Sequence, residues 1–219
     1  MPIEVSASIL GCDLSNIESE IKRAKINGAD YIHFDVMDGV FVNNISFGIP
    51  VLKSVKKKSE LPFDVHLMIA NPEKYIKRFI DAGADNITFH LEATENPEEC
   101  IKICKENGIS AGVSVKPATS VKEVFPYLEY VDMVLIMTVE PGFGGQGFMT
   151  ETIEKIKETS DKIKTLNLST VIQVDGGINE KTAPLAVGSG ATNLVAGTYL
   201  FGSDNMSLAI DKLKALNYA

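Results

Sequence analysis

Short runs of β-branched and aromatic residues alternate eight times with helical stretches, and this repeat limits the fold more than any other feature of the 219-residue chain. Stretches such as "SNIESEIKRAKI" and "PEECIKICKEN" place apolar residues three and four positions apart, as amphipathic helices do. In "NGADYIHFD", "AGADNITFH" and "SGATNLVAG", a glycine stands where a helix would end before the next strand. The predicted strands are Glu4–Ile9, Tyr31–Asp35, Phe63–Leu67, Asn86–His90, Ser110–Val115, Met133–Met137, Thr170–Asp175 and Asn193–Ala196.

Eight strand–helix units joined by short connections predict a closed (β/α)8 TIM barrel of the α/β class. No linker rich in proline, serine or glycine divides the chain, so we expect residues 1–219 to form one domain. An open doubly wound sheet is the alternative, but its first turn usually carries GxGxxG, and "ILGCDLSN" does not. In a closed barrel, reactive side chains gather at the carboxyl ends of the strands. Polar residues at those ends are therefore the candidates for function.

Composition excludes several classes of function. The net charge of −8 argues against a nucleic-acid or anionic-membrane partner. Three cysteines, Cys12, Cys100 and Cys104, do not form a disulfide framework, so we expect a reducing, cytoplasmic location. The first ten residues lack the basic region and the long apolar stretch of a signal peptide. The longest apolar run, "MVLIMTV", is the length of a strand rather than of a membrane span.

The segment "YIHFDVMDG" carries the first unusual polar pair. Side chains alternate along a strand, so His33, Asp35 and Met37 share one face. His66 closes the third predicted strand in "FDVHLM", and Asp175 closes the seventh in "VIQVDGGI". Taken singly, a histidine or an aspartate at such a position is more often structural. Two histidines and two aspartates on one rim are better explained as one site. Ser8 ends the first predicted strand in "SASIL", and His90 also ends a strand, so position alone does not settle the role of His90.

His33, Asp35, His66 and Asp175 form a mixed nitrogen and oxygen donor set that predicts one divalent metal ion. Zn²⁺ suits this set best, and Fe²⁺, Mn²⁺ and Co²⁺ also fit it. Four protein ligands usually hold a structural zinc, whereas a catalytic zinc keeps one position open. For catalysis, the predicted metal must therefore expand its coordination to admit oxygens of the substrate.

Glycine-rich loops after the last three strands predict a phosphate site. "DGGI" (175–178) follows the seventh strand and "VAGT" (195–198) follows the eighth, where many barrels bind phosphate through backbone N–H groups. Turns need glycine for other reasons, but glycines in both loops together have the placement that phosphate binding requires. A third loop, "EPGFGGQGF" (140–148), is long enough to cover a ligand.

Two carboxylates, a divalent metal and a phosphate site together suit removal of a proton next to a carbonyl. An aspartate with a pKa of about 3.9 is a weak base, and positioned acid–base catalysis contributes only about 10²–10⁴-fold. A metal on the carbonyl oxygen would stabilise the enediolate by several kcal/mol more. Asp35 and Asp175 come from strands that we expect on opposite sides of the ring, one for each face of a planar intermediate. A base on one face and an acid on the other predict epimerisation.

The motifs that carry these residues resemble the ribulose-phosphate 3-epimerase family. They run in order from residue 6 to about residue 202 and comprise "SASIL", "IHFDVMDGVFV", "DVHLMIANPEKYI", "GADNITFHLEA", "LIMTVEPGFGGQGF" and "VDGGIN…GAT…VAGT". The resemblance implies a ribulose-phosphate-binding barrel that interconverts D-ribulose 5-phosphate and D-xylulose 5-phosphate with a divalent metal. It also implies an enzyme of the pentose phosphate pathway and assembly as a homo-oligomer.

The resemblance assigns roles residue by residue. His33, Asp35, His66 and Asp175 match the metal ligands, with Asp35 the proton acceptor and Asp175 the proton donor in one direction. Three methionines match residues around the reacting carbons: Met37, Met68 and Met137. Positions matching substrate-binding residues are Ser8, His66, Gly142, Phe143, Gly144, Gly145, Asp175, Gly176, Gly177, Gly197 and Thr198.

Three departures from the family pattern leave the substrate open. Asn43 stands where proline is common, Thr198 where serine is usual, and Ala7 where proline is frequent. None removes a metal ligand, but epimerases of six-carbon ketose phosphates, such as allulose 6-phosphate, share the same four metal positions. A decarboxylase on a related barrel is another alternative, although "DVMDG" lacks the lysine of the DxKxxD run. The last alternative is a sugar-phosphate binder without activity, which would be expected to have lost a carboxylate.

Overall fold

Eight parallel strands close into a barrel in sequence order in the computed structural model, which describes residues 2–217. The predicted (β/α)8 architecture is confirmed. β1 pairs with β2 on one side and with β8 on the other, where Ala7 is in register with Ala196, so the sheet has no free edge. The strands are β1 Glu4–Ser8, β2 Tyr31–Met37, β3 Phe63–Met68, β4 Asn86–His90, β5 Ser110–Val115, β6 Met133–Met137, β7 Val171–Asp175 and β8 Asn193–Ala196.

Helices surround the barrel and pack their apolar faces against it. The predicted helix ends before β2, β4 and β8 are confirmed, since Gly28, Gly83 and Gly190 all have positive φ. The helices are α1 Ile17–Ile26, α2 Ile49–Lys56, α3 Ile76–Ala82, α4 Pro97–Glu106, α5 Ile153–Leu166, α6 Ala183–Gly188, α7 Thr198–Phe201 and α8 Met206–Lys214.

The fifth unit differs from the expected strand-then-helix pattern. β5 is followed by a 3₁₀ helix, Val121–Tyr127, and not by an α-helix. Pro126 lies inside this segment, where its missing N–H and its ring oppose a longer α-helix. The eighth unit has two helices, α7 and α8, after its strand.

The barrel has an apolar outside and a partly polar inside. Ile32, Phe34 and Val36 on β2 are buried in the main core between the sheet and the helices. The opposite face of the same strand points inward and carries His33 and Asp35, both buried. Alternation along β2 therefore places the polar pair as the sequence predicted. Among residues 2–217, none of the helices has the length and apolar character that crossing a bilayer requires.

Candidate metal centre and active site

Four side chains meet inside the carboxyl end of the barrel. His33 and Asp35 come from β2, His66 from β3 and Asp175 from the end of β7. One donor atom from each of the four lies within 4.8 Å of the donor atoms of the other three. The two histidines and Asp35 are buried, and the side chain of Asp175 keeps 17% of its surface exposed. The structure thus brings together all four residues predicted from the sequence as metal ligands.

The two carboxylates do not face each other across the full width of the ring. β2 and β7 lie three positions apart around the barrel, with β1 and β8 between them. Diametrically opposite strands would be four positions apart, so the expectation of opposite sides needs this correction. Asp35 and Asp175 nevertheless approach the same two imidazoles, with oxygens 3.2 Å and 3.7 Å from Nε2 of His33.

The geometry of the four donors fits a metal ion. Donors bound to one ion at about 2.1 Å lie no more than about 4.2 Å apart, so the observed spread needs only small movements. Nδ1 of His66 lies 3.2 Å from Asp35 and 3.8 Å from Asp175. Nε2 of His33 is buried and has no hydrogen-bond partner among the described residues. A buried ring nitrogen without a hydrogen-bond partner, close to two carboxylates, is the arrangement that a cation would complete.

The two carboxyl groups differ in acidity. Burial works against ionisation of Asp35, but the nearby positive charge of His33 outweighs it and holds the pKa of Asp35 well below the usual range. Burial and the negative charge of Asp35 raise the pKa of Asp175 to about 6. Neighbouring carboxyl groups whose environments separate their pKa values are typical of acid–base sites.

Asp64 lies beneath the four clustered side chains, on the side of the amino ends of the strands, and the sequence analysis missed it. It is buried on β3, and its Oδ2 accepts hydrogen bonds from Nδ1 of His33 (2.8 Å) and from Gln173 (2.6 Å). Its Oδ1 accepts a hydrogen bond of 2.6 Å from Asn86. Because Nδ1 of His33 is directed at this carboxylate, Nε2 is left free for the metal position. Such carboxylate–histidine pairs fix the tautomer and orientation of histidine ligands.

Replacement of Asp64 by asparagine is expected to lower the affinity for Zn²⁺ by about 10–100-fold. An asparagine has one acceptor oxygen where the aspartate has two, so its amide group would face a donor from His33, Gln173 or Asn86. Zn²⁺ titration with a competing chelator measures the effect, and thermal unfolding measures the accompanying loss of stability. Asp161→Asn on the exposed surface of α5 is the matched control. Unchanged Zn²⁺ affinity in Asp64→Asn would contradict the role of this carboxylate.

A cavity of about 330 Å³ opens above the cluster. Its volume is at the lower end of the range for small-molecule sites. His33 and His66 lie beneath the cavity and do not line it. Every other predicted site residue does: Ser8, Asp35, Met37, Met68, Met137, Gly142, Phe143, Gly144, Gly145, Asp175, Gly176, Gly177, Gly197 and Thr198. Ser8 also donates a hydrogen bond of 2.8 Å to Asp35.

Gly177 in the loop after β7 and Gly11 in the loop after β1 allow close chain packing at the cavity wall. A Cβ on Gly177, which has φ of 67°, would lie 2.5 Å from the backbone nitrogen of Phe148. A Cβ on Gly11 would lie 2.7 Å from the backbone of Gly197 and Thr198. These glycines are therefore needed for packing between loops, in addition to any approach of a ligand.

The loop after β6, residues 138–149, is attached to its neighbours on both sides. The backbone N–H of Thr138 donates a hydrogen bond to the carbonyl oxygen of Asp175 (2.8 Å), and its hydroxyl donates one to the carbonyl oxygen of Gly176 (2.6 Å), which fixes the end of β7. Asn44, in the loop after β2, donates a hydrogen bond of 2.7 Å to the carbonyl oxygen of Gly142. The sequence analysis identified neither Thr138 nor Asn44. Phe143 at the tip of the loop is 57% exposed.

Comparison with known proteins agrees with the sequence motifs. The profile of the ribulose-phosphate 3 epimerase family matches residues 4–201. The ribulose-phosphate 3-epimerase of Bacillus subtilis is 43% identical over 215 residues, covering 97% of this chain and 98% of the relative. The protein named ribulose-phosphate 3-epimerase, cytoplasmic isoform, of Oryza sativa subsp. japonica is 41% identical, covering 96% and 92%.

Solved structures with much lower identity share the fold. The 3-keto-L-gulonate-6-phosphate decarboxylase of Vibrio cholerae superimposes with a TM-score of 0.76 at 12% identity, over 97% of this chain and 96% of the other. At that identity the likeness concerns the barrel alone.

Proposed function

Because the chain belongs to the ribulose-phosphate 3-epimerase family, we propose that it interconverts D-ribulose 5-phosphate and D-xylulose 5-phosphate by proton transfer at carbon 3. One observation carries the proposal beyond the family match. Two carboxylates, Asp35 and Asp175, line one cavity and share two buried imidazoles beneath it. A sugar-phosphate binder without activity has no need for such a pair.

We assign the roles of the residues from the family resemblance, and their placement in the cavity supports this assignment. Asp35 takes the proton from carbon 3 on one face of the sugar, and Asp175 returns a proton on the other face. The two exchange roles in the reverse direction. Ser8 holds Asp35 through its hydrogen bond, and Thr138 holds Asp175 through the backbone. The methionines Met37, Met68 and Met137 line the cavity with apolar, polarizable surface and limit the access of water to the reacting carbons.

A divalent cation would be held by His33, Asp35, His66 and Asp175. When bound, it supplies positive charge that stabilises negative charge developing on the oxygens of the substrate. Zn²⁺ suits the two nitrogen and two oxygen donors best, and Fe²⁺, Mn²⁺ and Co²⁺ remain alternatives.

The substrate phosphate would bind where three loops converge on the far wall of the cavity. The candidates are Gly176 and Gly177 after β7, Gly197 and Thr198 after β8, and residues 142–145 of the β6 loop. A Cβ on Gly145 would lie 3.9 Å from the hydroxyl of Thr198, so the β6 and β8 loops meet there. Backbone N–H groups in such loops bind phosphate without requiring a basic side chain.

The proposal also covers the cellular location, the domain organisation, the assembly and the substrate preference of the enzyme. The free cysteines and the name of the rice relative support a cytoplasmic location. Organisation of residues 1–219 as one domain, assembly as a homo-oligomer and a preference for five-carbon over six-carbon substrates remain predictions.

Incubation with ribulose 5-phosphate in deuterated water tests the reaction directly. With Zn²⁺ present, we expect deuterium at carbon 3 of both the recovered substrate and the xylulose 5-phosphate formed. Allulose 6-phosphate, assayed in parallel, should react more slowly. Conversion without deuterium at carbon 3 would exclude proton transfer, and faster turnover of allulose 6-phosphate would reassign the substrate to the six-carbon class.

A further inference from the structure

A third histidine lies directly behind the proposed metal centre. Nε2 of His66 faces Nε2 of His90 at 2.9 Å, and both rings are completely buried. The two rings are nearly parallel, with an interplanar angle of 30° and centroids 5.0 Å apart. Since Nδ1 of His66 points towards Asp35, the two nitrogens of this imidazole connect the metal position on one side with His90 on the other.

The short distance between the two Nε2 atoms restricts where the ring hydrogens are placed. One of the two nitrogens must carry a hydrogen and the other must offer a lone pair. If His90 donates, the single hydrogen of neutral His66 is on Nδ1, where it points at Asp35 and blocks a metal. If His66 donates, its Nδ1 presents a lone pair to the metal position, and His90 carries its hydrogen on Nδ1.

The environment of His90 is suited to the second arrangement. Nδ1 of His90 lies 3.5 Å from Oε2 of Glu92, a carboxylate that favours a hydrogen on this nitrogen. Glu92 is itself fixed by a hydrogen bond of 2.7 Å from the backbone nitrogen of Lys116. The ring of Phe41 packs against His90 with centroids 4.9 Å apart, and the ammonium group of Lys116 lies 3.9 Å from the centroid of the Phe41 ring.

We propose that His90 is a positioning residue that holds His66 in the tautomer that can bind the metal through Nδ1. In this assignment His66 donates its Nε2 hydrogen to His90, and His90 carries its own hydrogen on Nδ1, where the negative charge of Glu92 at 3.5 Å favours it. The two histidine ligands then bind through opposite ring nitrogens, His33 through Nε2 and His66 through Nδ1. Asp64 fixes the first ring, and His90 fixes the second.

In this arrangement each ring carries one hydrogen, so the pair of His66 and His90 is neutral. A metal could then bind at Nδ1 of His66 without removing a proton from the pair. The inference depends on the proposed metal centre, so the experiment measures metal binding separately from turnover.

Two variants of His90 test the assignment. Phenylalanine keeps an aromatic ring but offers no acceptor, so His90→Phe is expected to lower Zn²⁺ affinity by about 10–100-fold. Glutamine places an amide oxygen near the former Nε2, so His90→Gln is expected to keep Zn²⁺ affinity within about threefold of the parent chain, because the acceptor that His66 needs is retained. Circular dichroism and thermal unfolding of both variants without metal establish that the barrel is folded.

Nuclear magnetic resonance of the parent chain provides a readout that needs no variant. In long-range ¹H–¹⁵N spectra of the Zn²⁺-loaded protein, His66 should show a hydrogen on Nε2 and His90 a hydrogen on Nδ1. Equal Zn²⁺ affinity in His90→Phe and the parent, or a hydrogen on Nδ1 of His66 with Zn²⁺ bound, would overturn the assignment. A parent chain that binds no Zn²⁺, Fe²⁺, Mn²⁺ or Co²⁺ would instead overturn the proposed metal centre, and this inference with it.

Discussion

Replacing Asp175 by asparagine is expected to lower kcat by about 10²–10⁴-fold while leaving the barrel folded. The amide keeps the size of the carboxylate but cannot donate or accept the transferred proton. Its backbone contacts should survive, since Thr138 bonds to the carbonyl oxygen of Asp175 and not to its side chain. Initial rates with ribulose 5-phosphate measure the loss, and circular dichroism establishes the fold.

Deuterium incorporation separates the role of Asp175 from that of Asp35. If Asp35 removes the proton from ribulose 5-phosphate, Asp175→Asn should still exchange carbon 3 of that substrate slowly while forming little xylulose 5-phosphate. Asp161→Asn, on the surface of α5, should keep the parent rate in both assays. Near-normal turnover by Asp175→Asn would remove this residue from the mechanism.

Removal of bound metal by a chelator is expected to lower turnover by roughly 10²–10³-fold. This range corresponds to losing roughly 3–4 kcal/mol of charge stabilisation at the substrate oxygens. Dialysis against the chelator, followed by addition of one metal at a time, measures both the loss and its recovery. Zn²⁺, Fe²⁺, Mn²⁺ and Co²⁺ should each restore activity to a different degree, and Mg²⁺ should restore little because it prefers oxygen ligands.

The unfolding temperature of the metal-free protein serves as a control for the chelation experiment. Gln173 and Asn86 both donate hydrogen bonds to Asp64, and these bonds do not involve the metal position, so the unfolding temperature should fall far less than the activity. A chelated protein that retains full turnover, after analysis establishes that no metal remains, would show that Asp35 and Asp175 work without a cation.

The sequence predicted the barrel and the four clustered side chains because both depend on short-range periodicity. Alternation along β2 put His33 and Asp35 on the inner face, and the strand ends placed His66 and Asp175 at the same rim. The predicted placement of Asp35 and Asp175 on opposite sides of the ring was wrong in detail, because β2 and β7 are separated by only three steps around the closed barrel.

Other parts of the site depend on contacts between distant strands. Asp64 is two residues before His66, so the same alternation places both on the inner face of β3, and the sequence signal was available. The orientation of His90 relative to His66 depends on the register of β3 against β4, which periodicity within one strand does not specify. Thr138 and Asn44 act through backbone groups of other loops, and their residue types carry no sign of this.

The polar layer beneath the four clustered side chains has a consequence for engineering. Gln173 bonds to Asp64 and to Asn193, and Ser6 bonds to Asn193, so the hydrogen bonds continue across the barrel to β1. Transplanting only the four clustered residues into another eight-stranded scaffold would leave the His33 imidazole without the Asp64 carboxylate that orients it. The unit to be transferred therefore comprises two layers of inward-pointing side chains. If the lower layer of the recipient barrel is apolar, it would have to be replaced as well.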